Sequence, residues 1–185
     1  MDQDKRFEEL IGAGLSASGE NRRQAALDLF AQASAVLPSS GIPHFLIASE
    51  HAAAGDMDAA EAAFANAVLL APDFALARYQ LGLLQFSSAG AALALLTWEP
   101  LFALPASESL GHFVRGFAAL AQDRYAESFE HFAAGTEAPG VNPAVASDIR
   151  QVMEAVQRLA SAQDGDAERP EASHVLLAGY ARGLH

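Results

Sequence analysis

The sequence contains no cysteine, which excludes disulfides and thiol chemistry and fits a reducing compartment. Basic side chains are scarce: 11 stand against 23 acidic ones, a formal charge of -12. A surface of that sign repels phosphate backbones and anionic lipid, so nucleic-acid and membrane-surface partners are not expected. Most of the acid reads as a solvated face. Long apolar runs are missing as well. The most apolar stretch, 89–106, holds Glu99, Pro100 and Pro105, whereas a membrane helix needs about 20 apolar residues in an unbroken run. The first residues, Met1-Asp2-Gln3-Asp4-Lys5-Arg6, are charged and lead into Phe7-Glu8-Glu9-Leu10, without the apolar core of a signal peptide. The expectation is a cytoplasmic protein with no membrane insertion.

Catalytic signatures are lacking too. Six histidines are present, but no HExxH, no His-x3-His pair and no cysteine ligand accompanies them. His44 and His51 lie about two helical turns apart and read as packing or surface residues. There is no G-x-S-x-G and no glycine loop to cradle a phosphate. The expectation is a non-enzyme with no catalytic residues, no metal and no cofactor. Hydrophobic residues at 51% and charged residues at 18% suit a folded chain, and plentiful alanine with little glycine or proline biases it toward helix.

What is present is a period. Phe30, Phe64, Trp98 and Phe132 recur every 34 residues, as do the small residues Gly14, Ala48, Gly82 and Gly116. Ala26, Ala60, Ala94 and Ser128 form a third small column at the same spacing. Three columns share one period without an insertion, the signature of a helical repeat. A small residue on one helix lets the next approach, and a bulky one four residues after a small one fills the gap on a single face. Such pairs cannot bury their apolar stripes alone and stack on their neighbours.

This spacing resembles the tetratricopeptide family, whose 34-residue pattern runs W-x2-L-G-x2-Y, then A-x3-F, then P. The resemblance covers four units, 7–40, 41–74, 75–108 and 109–142. In the second, Ile47-Ala48 takes the Leu-Gly place, Gly55 the turn, Ala60 and Phe64 the A-x3-F pair, Ala67 the next small place and Pro72 the end. The first keeps Gly14, Ala26, Phe30, Ala33 and Pro38; the third keeps Leu81-Gly82, Ala94 and Trp98, with Leu101 in the small place and Pro105 one residue early. The fourth keeps Gly116 and Phe132, but Arg115 stands in the Leu place and Pro139 is one early. Pairing of Arg115 with Glu99 or Asp123, and its reaching into a groove, are both open.

The resemblance implies an all-α, right-handed superhelical solenoid of four helix-turn-helix repeats plus capping and terminal helices. Asn142-Pro143 reads as an N-cap with proline at the first helical position, opening a capping helix over about 143–162 that closes a domain 1–162. Residues 163–172 read as a polar linker, and 173–185 as a terminal apolar helix carrying Val175, Leu176, Leu177 and Tyr180.

The family binds its ligands along the concave face lined by first helices. Its Trp place holds Leu10, His44, Arg78 and His112 here, and bulky residues follow one place later: Ile11, Phe45, Tyr79 and Phe113. By family analogy that one-step shift, about 100° around the helix, points the column into the groove, beside Leu15, Ser49, Leu83 and Phe117, with Phe86 and Leu120 one turn on. The alternative, that these rings are core between helices, is weakened because the interhelical slots have other occupants. The expected protein-binding groove is Phe45, Ser49, Tyr79, Leu83, Phe86, Phe113 and Phe117. Its partner is an apolar protein segment or peptide, since the lysine, arginine and asparagine clamp for a C-terminal carboxylate is not visible. Open rings of this size exceed an ordinary apolar patch, so the groove needs a cover. The candidates are a partner, a second copy of the chain in a homodimer, or its own Val175–Tyr180. The function expected is a non-catalytic adaptor. The alternatives are a small acidic chaperone of the type III secretion kind, or a self-associating structural module.

Overall fold

A computed structural model describes residues 2–88 and 90–164, and among them there is no strand. The order is α1 (Asp2–Gly19), α2 (Arg23–Val36), α3 (Ile42–Ala53), α4 (Met57–Leu70), α5 (Ala75–Ser88) and α6 (Ala91–Trp98). A 3-10 helix (Glu99–Ala103), α7 (Ser109–Leu120), α8 (Tyr125–Glu137) and α9 (Pro143–Asp164) complete it. This is the all-α repeat fold expected. The expected terminal helix with Val175, Leu176, Leu177 and Tyr180 lies outside the described residues. The chain divides into two compact units, 1–81 and 82–185, with α5 beginning in the first and ending in the second.

The hairpin turns repeat in their backbone as well as in their sequence. Asn21 (φ 57°), Gly55 (φ 78°) and Asp123 (φ 55°) share one 34-residue register and all adopt the left-handed conformation, which glycine, asparagine and aspartate tolerate best. Asp56 then caps α4, its side chain accepting from the Ala59 N–H. Asn142 does the same for α9, accepting from the Ala144 N–H at 2.9 Å, with Pro143 at the first helical position as expected. Leu37 and Ala71, again 34 apart, leave α2 and α4 at φ -130° and -134°, both with ψ 80°. Pro38 and Pro72 follow and disfavour helical geometry in the residue before them. In the third repeat Pro100 falls earlier, inside the second helix. Proline has no N–H to donate, so α6 stops at Trp98 and tightens into the 3-10 helix.

In the first unit α1 pairs with α2, α2 with α3, and α3 with α4. Gly14 faces Phe30 so closely that an added Cβ would lie 2.3 Å from the ring. Ala17, Ala26 and Phe30 form a buried cluster, with Ile11, Ala25, Leu29, Leu46 and Ile47 packed around it. Ala48 and Phe64 are buried in the same register. In the second unit α7 pairs with α8 and α8 with α9. There an added Cβ on Gly82 would lie 2.1 Å from the Trp98 indole, and one on Gly116 2.5 Å from the Phe132 ring. Equivalent small residues thus receive equivalent rings. The face of α9 turned to the protein buries Val145, Ile149, Val156 and Leu159.

Candidate protein-binding surface

The first helices of the hairpins carry the residues singled out for binding. In the first unit Phe45 is half-buried, its ring centroid 5.6 Å from that of Phe64 and 4.9 Å from that of Phe74. Ser49, one turn on, is half-buried and donates its hydroxyl to the Phe45 carbonyl at 3.0 Å. Tyr79 is 1% exposed. In the second unit Leu83 is half-buried, and three rings sit inside. Phe86 stacks on Trp98 at 5.9 Å and tilts against Phe117 at 5.5 Å. Phe117 continues the chain of rings to Trp98 at 5.4 Å and to Phe132 at 4.9 Å. Phe113 is fully buried against α8, where a Cβ added to Gly135 would lie 2.4 Å from its ring.

This corrects the expectation of a wall of open rings. Tyr79, Phe86, Phe113 and Phe117 are core, and Phe86 and Phe117 are brought together around Trp98. The physical reason is visible at Phe113. The 100° step around the helix turns its ring toward the second helix of its own hairpin, where glycine leaves a socket. The signal was in the sequence: Gly135 belongs to the column Ala33, Ala67, Leu101 and Gly135, and its smallest member faces a full phenyl ring.

Arg115 takes neither course considered from sequence. Its Nη2 donates to the carbonyls of Phe102 at 2.7 Å and Leu104 at 3.2 Å, the free acceptors where the 3-10 helix ends. A Cβ on Gly111 would lie 3.1 Å from Arg115 Nη1, so the glycine leaves the guanidinium its path. The charge ties α7 to the segment that Pro100 reshapes.

The histidines join local polar contacts. His44 Nε2 and the Ser34 hydroxyl are 3.1 Å apart. His51 Nδ1 lies 3.2 Å from Arg23 Nη2 and 3.1 Å from Asp56 Oδ2, while Arg23 Nε donates to the Glu50 carbonyl. The His112 and His131 rings are 5.9 Å apart. Burial, then the neighbouring His112 and Arg115, hold the His131 pKa below its ordinary 6.5 against the pull of Glu127 and Glu130. Among the described residues no three potential ligands are grouped to hold a metal, and no helix is long and apolar enough to cross a membrane.

Apolar surface remains elsewhere. Leu15, half exposed, keeps the first-helix column open in the first unit, together with Ile42 at the start of α3 and Leu69 on α4. Among the described residues of the second unit the exposed large apolar ones are Leu93 and Leu96 of α6. The column Leu15, Ser49, Leu83 and Phe117 thus passes from half exposed through half-buried to buried.

No protein-family model and no curated protein matches the chain. Among solved structures, that of a MamA RS-1 ArsTM double mutant matches with a TM-score of 0.62 at 13% sequence identity, over 96% of this chain and 94% of that one. At that identity the likeness speaks for the fold alone, an all-α fold of helical hairpins.

Proposed function

We propose that the chain is a non-catalytic, cytoplasmic protein-interaction module that holds an apolar protein segment on the first helices of its hairpins. The observation that carries this reading is the repeated socket, small residue against ring, at Gly14–Phe30, Gly82–Trp98 and Gly116–Phe132. These sockets close the two helices of a hairpin on one another and would leave the outer surface of each hairpin for recognition, the use to which repeat scaffolds are put. Within the first unit the contacts fall to Leu15, Phe45 and Ser49, and the equivalent place in the second unit is Leu83. The buried rings Tyr79, Phe86, Phe113 and Phe117 support these helices from beneath rather than touching the partner. Leucine with half its surface open is a normal anchor for an apolar side chain, and neighbouring polar groups set the register.

The test is selection of binding peptides by the full chain, followed by anisotropy titration against Leu15→Glu and Leu83→Glu variants. The reading expects apolar-anchored peptides to be selected and their binding to weaken about tenfold or more, one hot-spot contact, with unchanged helix content. Selection of polar sequences only, or affinity that ignores both substitutions, refutes it.

A further inference from the structure

The second helix of the third repeat, α6, differs from its equivalents on its outer face. Ala94 and Trp98 turn inward and are fully buried. Leu93 and Leu96 turn outward, 41% and 74% exposed. The register place of Leu96 holds Asp28, Ala62 and Glu130 in the other repeats, and that of Leu93 holds Ala25, Ala59 and Glu127. Alanine and acid are ordinary on a solvated helix face; two leucines one turn apart are not. The sequence around them is equally uncharged. Between residues 79 and 107 the one charged side chain is Glu99, exposed one turn beyond Leu96.

We propose that this face is the docking site of the chain's own terminal segment, 173–185. Three observations on the sequence and the second unit support that occupant. The segment's apolar residues Leu176 and Tyr180 are four apart in sequence, the spacing of one helical face, with Leu177 beside them, a pattern that would suit a short leucine stripe. Its charges match. Arg182 is the segment's one arginine or lysine, and it stands six residues after Leu176 as Glu99 stands six after Leu93. Six residues span about 9 Å on a helix, so a parallel arrangement sets Leu176 on Leu93, Tyr180 near Leu96 and Arg182 beside Glu99. An antiparallel one separates the charges. An exposed pair of this kind adds little affinity and serves to fix orientation. The connection is long enough. Ten residues lie between Asp164, the end of α9, and Val175, eleven chain steps with a reach of at most about 36–40 Å, comparable to the width of a domain of roughly 100 residues. Docking in the same molecule also needs no dimer. One short stripe is well below the roughly 800 Å² per partner of a stable two-chain interface, whereas a tethered segment binds at an effective concentration in the millimolar range.

The absence of cysteine makes the test clean. In the full chain, Leu93→Cys is paired with Leu176→Cys, and in a second variant Leu69→Cys with Leu176→Cys; Leu69 is more exposed than Leu93 but lies on α4. Disulfide formation is followed by mass under dilute mild oxidation. The proposal expects an intrachain bond at Leu93 forming about tenfold faster than at Leu69, the margin of a docked over an undocked tether. It also expects that rate to fall with Glu99→Arg and to recover when Arg182→Glu is added. Equal rates at both positions, or none at either, overturn it. Disulfide-linked dimers as the main product overturn it in favour of a second copy.

Discussion

If the third repeat is organised around the socket of Gly82 for Trp98, adding one methyl to Gly82 should be costly, and costly for a reason that can be undone. A Cβ there would lie 2.1 Å from the indole nitrogen of a side chain with no exposed surface, hemmed in by Phe86 and Phe117. Overpacking of a closed core costs about 1–3 kcal/mol, and a contact this short with a ring that has nowhere to move belongs at the upper end. Alanine is better than glycine inside a helix by about 1 kcal/mol, which leaves a net loss of about 2 kcal/mol. For a chain of this length that lowers the melting temperature by roughly 4–8 °C. Gly12, on α1 with nothing within 4 Å of its added Cβ, isolates the helix term: Gly12→Ala should stabilise by up to about 1 kcal/mol. The second repeat shows how to repair the damage, since Ala48 and Phe64 occupy the same register there. The double variant Gly82→Ala, Trp98→Phe should therefore be more stable than the two single losses added together, with a coupling of about 0.5–3 kcal/mol. Urea and thermal melts followed by circular dichroism decide it. A neutral Gly82→Ala, or strict additivity in the double variant, would refute equivalence of the packing sites.

Other outcomes follow from the same contacts. Arg115→Met should cost about 1.5–3 kcal/mol, the value of a hydrogen bond to a charged group, because the half-buried carbonyls of Phe102 and Leu104 lose their donor; Arg115→Lys should recover only part, lacking the planar fork. His131 is held below 6.5 chiefly by burial, with His112 adding to it. The unfolded chain therefore takes up that proton first on acidification. The stability it contributes is complete above about pH 6.5 and is lost as pH falls through the window below; a melt series from pH 7.5 to 5.5 should show a slope that His131→Gln flattens. Asp56→Ala should cost about 1 kcal/mol through loss of the α4 cap, read by the same melts. Phe117→Ala, at the junction of Phe86, Trp98 and Phe132, should cost about 3–5 kcal/mol, whereas Leu15→Glu should leave stability within about 0.5 kcal/mol as an exposed substitution.

Much of the fold was legible because it is carried by residues compared with themselves. A small residue every 34 positions, facing a large one in its own register, states which helices approach and what fills the space between them. Gly55 states where the second repeat turns, and Pro38 and Pro72 where helices end. The binding surface was less legible. The column Ile11, Phe45, Tyr79 and Phe113 has one period but not one environment, since Phe45 keeps surface while Phe113 fills the space beside Gly135, 22 residues away.

Sequence alone determined the period, the helical hairpins and the sockets, because those depend on side-chain size at fixed spacing and on local backbone preference. Tertiary structure decided which faces of the helices close. Whether a ring one step round a helix meets water or a neighbour depends on how deep the opposing socket is. Whether Pro100 merely ends a helix or tightens it into a 3-10 turn that Arg115 must cap depends on what packs behind it. These are properties of approach between elements, and no single column of residues contains them.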